Sequence, residues 1–416
     1  MSCCDENRLM PVGEARQRLF DYFKESPDIV HVHLLNAAGL TLAEPVVSEI
    51  DVPPHDNSAM DGYAFNSKDL NSKDSAGEVA EALSLPVSQR IPAGFAPAPL
   101  ERNTIARIFT GAPVPEGADT VIMQEDCSEA DGVVSFPASF KAGAHIRKRG
   151  EDIRAGSEIL AAGRRLSPQD IGLAASVGVG QLSVYKPLKI ALLCSGDELL
   201  EPGQPPEPGK IYNSNRYLLE PLLKQQGFDV LDMGTVEDTL EATLAALEQA
   251  ANEADVVITT GGVSVGEEDY IKAAVEELGG MSLWKVAIKP GKPFAFGHIQ
   301  QTPFIGLPGN PVSVFATFLL LGLPYLQQLQ GSTWSHWPTT SMAAAFDVKK
   351  AGKRDEFVRV KRVVSGDSTV LKKYPNQSSG VLSSAAWCDG FALIPAGKTL
   401  EIGEKVDFIA LSDLMG

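Results

Sequence analysis

Between Leu188 and Leu329 short, continuous apolar runs alternate with segments of helical periodicity, and no other feature narrows the possible folds so far. The runs are Lys189–Leu193, Val230–Met233, Asp255–Thr259, Leu283–Ile288 and Phe304–Leu307. The helical segments are Tyr217–Gln226, Leu240–Glu253, Tyr270–Leu278 and Val312–Leu321. A strand that is apolar along its whole length is buried on both faces, and strands joined by crossover helices run parallel. Residues 187–329 are therefore expected to form a parallel-sheet three-layer α/β domain.

The flanking texture differs. Met1–Val47 reads as helical, with apolar residues at helical spacing through Ala15–Phe23 and again around Val32–Leu42. From Ile50 to Lys148 short β-like runs such as Thr104–Phe109 and Thr120–Met123 are broken by prolines at 86, 92, 97, 99, 113 and 115. Helical texture returns at Ser167–Gly178, with Ser167 as N-cap and Pro168 at the first helical position. A β-rich domain at 51–147, inserted into a helical or extended N-terminal domain (1–50 and 148–186), accounts for that return. Gly331–Gly416 has short strands, Glu356–Val363 and Gly390–Pro395 among them, which predicts a small C-terminal β-barrel over 330–416. The fold class expected is α/β multidomain, and 416 residues suit two to four domains.

Charge limits the partners. Against 53 Asp and Glu stand 36 Lys and Arg, a net of −17, which repels phosphate backbones and anionic lipid heads. No nucleic acid and no membrane partner is expected, and an anionic substrate would need basic residues gathered locally. Cys3, Cys4, Cys127, Cys194 and Cys388 are odd in number and lack CxxC spacing, as in a reducing compartment. Met1–Leu19 has no apolar core of a secretory signal, and Val312–Leu326 is interrupted by Gly322 and Pro324, short of the ~20 residues a membrane span needs. A cytoplasmic enzyme is the expectation.

In an open parallel sheet, ligands bind beyond the carboxyl ends of the strands. Those ends carry Ser195-Gly196-Asp197-Glu198, Glu237-Asp238, Thr260-Gly261-Gly262-Val263-Ser264 running on to Asp269, Lys285 with Lys289-Pro290-Gly291-Lys292, and Pro308-Gly309-Asn310-Pro311-Val312-Ser313. Gly261-Gly262 lets backbone amides approach a bulky anion. Asn310 and Pro311 place a helix N-terminus at the same rim. Lys285, Lys289 and Lys292 supply positive charge. Asp197, Glu198, Asp238 and Asp269 offer oxygen ligands for Mg²⁺ or acceptors for an amino-pyrimidine edge, and these alternatives stay open. Two polar loops stand apart, Val52–Ala64 and Arg147–Asp152, and spacing alone gives neither a role.

Asp56–Ala64 (DNSAMDGYA), Thr110–Gly117 (TGAPVPEG), Arg149–Ile153 (RGEDI), Thr259–Tyr270 (TTGGVSVGEEDY), Lys289–Gly297 (KPGKPFAFG) and Gly306–Ser313 (GLPGNPVS) form an ordered set. Together they strongly resemble the molybdopterin molybdenumtransferase family, the bacterial MoeA type, related to the E domain of gephyrin. Two segments depart from the family pattern. Its Ser-Thr-Gly-Asp-Glu reads Cys194-Ser195-Gly196-Asp197-Glu198 here, and its Gly-Ser-His reads Ser378-Ser379-Gly380, without the histidine.

The resemblance implies a homodimer with its active site in the subunit cleft, where Asp61 and Thr110 of one chain face Asp269, Lys285 and Lys289 of the other. It suggests roles at the cleft for Glu198, Asp238, Pro308 and Pro311, with Arg147 and Asp152 nearby; joined to the strand-end reading, Gly261, Gly262, Ser264, Lys292, Asn310 and Ser313 are also expected to bind substrate, and one or two of Glu198, Asp238 and Asp269 to hold the metal. Arg359 and Ser379 transfer more weakly. The implied reaction inserts molybdate into adenylylated molybdopterin with loss of AMP, assisted by Mg²⁺. A molybdopterin adenylyltransferase would stand upstream and molybdenum-cofactor acceptor proteins downstream. The rival readings are the adenylylation step itself, a receptor-anchoring scaffold and a non-catalytic binder of the finished cofactor.

Overall fold

The computed structural model describes residues 9–22, 27–70, 81–263, 270–333 and 337–415, apart from the side chain of Trp284. Its centre is a six-stranded sheet built from β1 (Lys189–Ser195), β2 (Asp229–Val236), β3 (Val256–Thr260), β4 (Gly279–Trp284), β5 (Ala295–Ile299) and β6 (Thr302–Leu307), in the order β2-β1-β3-β6-β5-β4. Alternate residues of each strand enter opposite cores. Ile190, Leu192, Ile258 and Ile305 face the helices Ser214–Gln225 and Pro311–Thr317. Ala191, Leu193, Val257 and Phe304 face Leu240–Glu253 and Tyr270–Leu278. Burial of both faces is why these strands carry no polar alternation.

The sheet is mixed rather than wholly parallel. β2, β1, β3 and β6 run parallel, whereas β5 lies antiparallel between β6 and β4. Ile299 and Thr302 are joined by Gln300-Gln301, with Gln300 at φ 51°. A left-handed glutamine carries none of the Gly or Asn signature of a hairpin, so β5 is not visible in the sequence. Two antiparallel steps return β4 to the common direction, and its carboxyl end still reaches the rim. The expected strand Leu283–Ile288 divides at Lys285, which has φ 68°; Ile288–Lys289 then joins another sheet, in parallel with Asp355–Glu356.

The N-terminal region is helical only in part. Val12–Asp21 is helical, and Val12, Ala15 and Leu19 are buried in the core of the central sheet. Ile29–His33, by contrast, is a strand paired antiparallel with Gln181–Tyr185, followed by a single 3₁₀ turn at Leu34–Asn36. Val30 and Val32 alternate with His31 and His33, a period of two that the wider helical window obscured. Ser167 caps Pro168–Ser176 through a reciprocal box with Asp170, worth about 1 kcal/mol.

Residues 51–147 contain a six-stranded sheet with a core on each face, around Phe65 and Phe136 on one side and Ile91 and Ile108 on the other. In the C-terminal region Thr340–Ala343, Asp355–Ser365, Ser368–Lys373, Gly390–Ile394 and Lys405–Ala410 close into a small barrel through the Ala344–Leu371 bridge.

Gly322 and Pro324 do not interrupt their helix. Pro311–Leu329 runs on through a π turn at Phe318–Gly322, and 89% of its apolar window is buried inside the protein. Pro324 brings no N–H for the Leu320 carbonyl, and the Trp337 indole donates to it instead at 3.2 Å. The Arg165 guanidinium ties the regions together, donating to the carbonyls of Gly39 (3.2 Å), Gln225 (2.6 Å) and Met415 (3.0 Å).

Candidate functional site

The carboxyl ends of β1, β2, β3, β4 and β6 form one rim. Asp238 knots the first two: one carboxylate oxygen accepts the Ser195 hydroxyl, and the other accepts the Asp197 N–H at 3.1 Å. Asp238 returns its own N–H to Asp197 Oδ1 at 3.4 Å. Glu198 is exposed, and its carboxylate folds over Gly196, where an added Cβ would lie 2.6 Å from Oε2.

Beyond β3, Gly261 has φ 83° and donates its N–H to Leu307 O at 3.2 Å. A Cβ there would meet Ser195 O at 2.4 Å, and one on Gly262 (φ 64°) would meet Ile271 Cγ1 at 2.4 Å. This turn therefore has both the handedness and the closeness that only glycine permits.

The lysine-bearing loop follows β4. Lys285 donates its N–H to Phe294 O at 3.1 Å, Val286 donates to Lys292 O at 2.9 Å, and Gly291 at φ 105° packs against Thr317, where a Cβ would come to 2.2 Å. Lys292 is exposed, and Lys289 Nζ lies 2.9 Å from Glu356 Oε1 of the barrel. After β6, Pro308 is buried and Gly309 O accepts the Asn215 amide at 2.8 Å.

Asn310 occupies the N-cap position ahead of Pro311, as expected, but its side chain makes no capping bond, and the Val312 N–H is taken by Ser379 O at 3.0 Å. This helix N-terminus is thus already partly satisfied by the C-terminal region, so the free anion cradle read from the sequence is only partly available. Ser313 is 3% exposed, one turn inside the core. Ser264 and Asp269 lie outside the described residues. Among the described residues no group of three metal-ligating side chains converges; Glu198 and Asp238 are the carboxylates at this rim from the expected metal set.

The second set of residues lies in the inserted region. Asp61 Oδ1 accepts both the N–H and the hydroxyl of Thr110, each at 2.7 Å, and these bonds hold the Asp61 carboxyl below the ordinary range, with Arg107 assisting. Arg147 is exposed on a two-residue strand paired with Asn57–Ser58, and Asp152 is exposed on the next turn. Ion pairs of Lys148 with Asp56 (2.8 Å) and Arg149 with Asp51 (2.6 Å) hold the two polar loops together beside an open cavity of about 560 Å³. Among the described residues, no hydrogen bond or ion pair joins Asp61 or Thr110 to the sheet rim of the same chain.

Residues 10–178 match the family model of the MoeA N-terminal region (domains I and II), 191–328 that of a probable molybdopterin binding domain, and 342–411 that of the MoeA C-terminal region (domain IV). Molybdopterin molybdenumtransferase of Haemophilus influenzae is 39% identical over 84% of this chain and 85% of its own. The chain belongs to the molybdopterin molybdenumtransferase family. A Nostoc relative of that name is 35% identical over 88% of this chain and 85% of its own. The fold agrees with solved MoeA structures from Pyrococcus horikoshii. One has TM-score 0.82 and 28% identity over 97% of this chain and all of that one, another 0.78 and 32% over 97% and 99%.

Within this member of the molybdenumtransferase family, two polar groups at the rim escape sequence reasoning. Asn215 had a visible signal, a polar Asn213-Ser214-Asn215 triplet opening the helix after β1. Glu356 had none, because it arrives from the barrel through tertiary contact; Ser379 was named only through the resemblance, and its carbonyl is what meets the rim.

Proposed function

We propose that the protein is a Mg²⁺-dependent molybdopterin molybdenumtransferase that inserts molybdate into adenylylated molybdopterin and releases AMP. The observation carrying this reading is the convergence of the Gly261-Gly262 turn, the Asp238 knot and the lysine loop on one rim, in a chain of this family. The Gly262 amide of the turn faces the pyrophosphate, while the Gly261 N–H stays bonded to Leu307 O and holds the turn in place. Lys285, Lys289 and Lys292 draw in the doubly charged molybdate and offset charge that builds up as AMP departs, so catalysis is mainly positioning and charge stabilisation. The two dithiolene thiols form Mo–S bonds, and their protons leave with a molybdate oxygen as water; a water molecule attacks the pterin-side phosphorus of the pyrophosphate, and the bridging oxygen leaves with AMP and the bond's electron pair.

Mg²⁺ suits the donors. That ion is usually held by one or two carboxylates together with substrate phosphates. Glu198 is exposed at the rim, and each Asp238 oxygen, with one bond accepted, keeps a lone pair. When bound, the ion would shield the pyrophosphate charge. Asp269 remains the third candidate ligand.

Asp61 and Thr110 enter the site from the partner chain of a homodimer, with Arg147 and Asp152 alongside. This arrangement gives the Asp61–Thr110 pair a substrate to face. The protein works in the cytoplasm, receiving its substrate from a molybdopterin adenylyltransferase and passing the finished cofactor to acceptor proteins.

AMP release from adenylylated molybdopterin, assayed with and without molybdate, tests the reading; release indifferent to molybdate overturns it. Asp61 is tested through Thr110→Val, which removes the hydroxyl donor and keeps the N–H. Both bonds favour the ionised carboxylate, so activity that needs it is lost as pH falls through a depressed value. With one bond gone, the acid limb of the kcat/KM profile should shift to higher pH. An unmoved limb would detach Asp61 from the rate.

A further inference from the structure

We infer that Glu356, on the C-terminal barrel, is a positioning residue for the oxyanion site: its carboxylate holds the Lys289 ammonium at the rim until an arriving dianion takes the lysine over. The inference rests on the molybdate-inserting reading given above.

The pairing is built by the backbone. Ile288–Lys289 runs parallel to Asp355–Glu356 with Lys289 directly opposite Glu356. Arg354 donates to Ile288 O at 3.1 Å, and the Asp355 N–H donates to Ala287 O at 3.0 Å. The lysine loop of the α/β domain is thus also an edge of the barrel sheet. The Lys289–Glu356 distance of 2.9 Å follows from that register.

Exposure makes the pair exchangeable. The Glu356 side chain is 20% exposed and that of Lys289 47%, so the lysine keeps a solvent-facing side. A half-exposed pair is weak, strong enough to aim a flexible side chain and too weak to lock it. Molybdate carries two charges to the carboxylate's one, so at equal distance it attracts Lys289 about twice as strongly. Glu356 is not stranded by the exchange, because its side chain stays 20% exposed and is solvated when the lysine leaves. A singly charged anion gains no such advantage over Glu356. The pair therefore also discriminates by charge.

The test compares wild type, E356Q, E356D, K289M and the K289M/E356Q double variant, all as full chains. E356Q should lower kcat about tenfold through lost aim, while KM for molybdate falls about threefold through lost competition. E356D should recover much of the kcat. The double variant should be no slower than K289M, because Glu356 acts through Lys289. Wild-type kcat and KM in E356Q, or additive losses in the double variant, would overturn the inference; additivity would mean that Glu356 serves the barrel alone. Equilibrium dialysis with radiolabelled molybdate separates this from the transferase reading. If wild type released no AMP, tighter binding in E356Q and weaker binding in K289M would still support the Glu356 role, and equal binding in all variants would remove it.

Discussion

Lys289→Met should lower molybdate-dependent AMP release by about 10²- to 10³-fold, the usual cost of deleting one preorganised charge that meets the transition state. Methionine keeps an unbranched apolar stem and loses only the ammonium. The chain should remain folded, because the Lys289–Glu356 pair is half-exposed and pairs of that kind contribute about 0–1 kcal/mol. Strand pairing with Asp355–Glu356 uses backbone groups that the substitution leaves alone. Circular dichroism and thermal melting should match wild type while turnover collapses. Wild-type turnover would remove Lys289 from the mechanism, and a collapsed melt would make its role structural.

Gly261→Ala should be the most damaging single methyl at the rim. The residue sits at φ 83°, where an L side chain costs about 1–2 kcal/mol. The new Cβ would stand 2.4 Å from the Ser195 carbonyl, and backbone cannot rotate away, so overpacking adds about 1–3 kcal/mol. Relief requires the ends of β1 and β3 to part, which pulls Ser195 from Asp238 and opens the knot. Hydrogen exchange should show lost protection across β1 and β3, together with lost AMP release. Gly309→Ala is the stability control: its Cβ would have nothing nearer than 4.0 Å, so protection there should change little. Equal loss of protection in the two variants would refute this explanation of the turn.

What could be read from the chain follows from how locally each feature is encoded. Buried strands and their helices announce themselves by unbroken apolar runs, so Leu240–Glu253 and Tyr270–Leu278 stand where periodicity put them. The Ser167 cap is local chemistry, and it forms. β5 escaped because its hairpin uses Gln300-Gln301, and Ile29–His33 escaped because a strand of five residues was averaged into a helical window.

The site divides in the same way. The glycine turn, Asp238 and the lysines all follow strand ends, so topology alone brings them to one rim. The Asp61–Thr110 hydrogen bonds join residues far apart in sequence, and only the resemblance to the molybdenumtransferases placed the two together. Glu356 and the Ser379 carbonyl reach the rim through barrel contacts that no local pattern encodes. The expected helix-terminus anion site lost part of its freedom for the same reason.

The most direct measurement of the central claim is the stoichiometry of molybdenum retained on the pterin against AMP released in a single turnover of the full-length protein with adenylylated molybdopterin, molybdate and Mg²⁺. The account predicts one molybdenum bound for each AMP released, and neither without molybdate. AMP released at the same rate without molybdate, or substrate bound tightly with no AMP released, would contradict it.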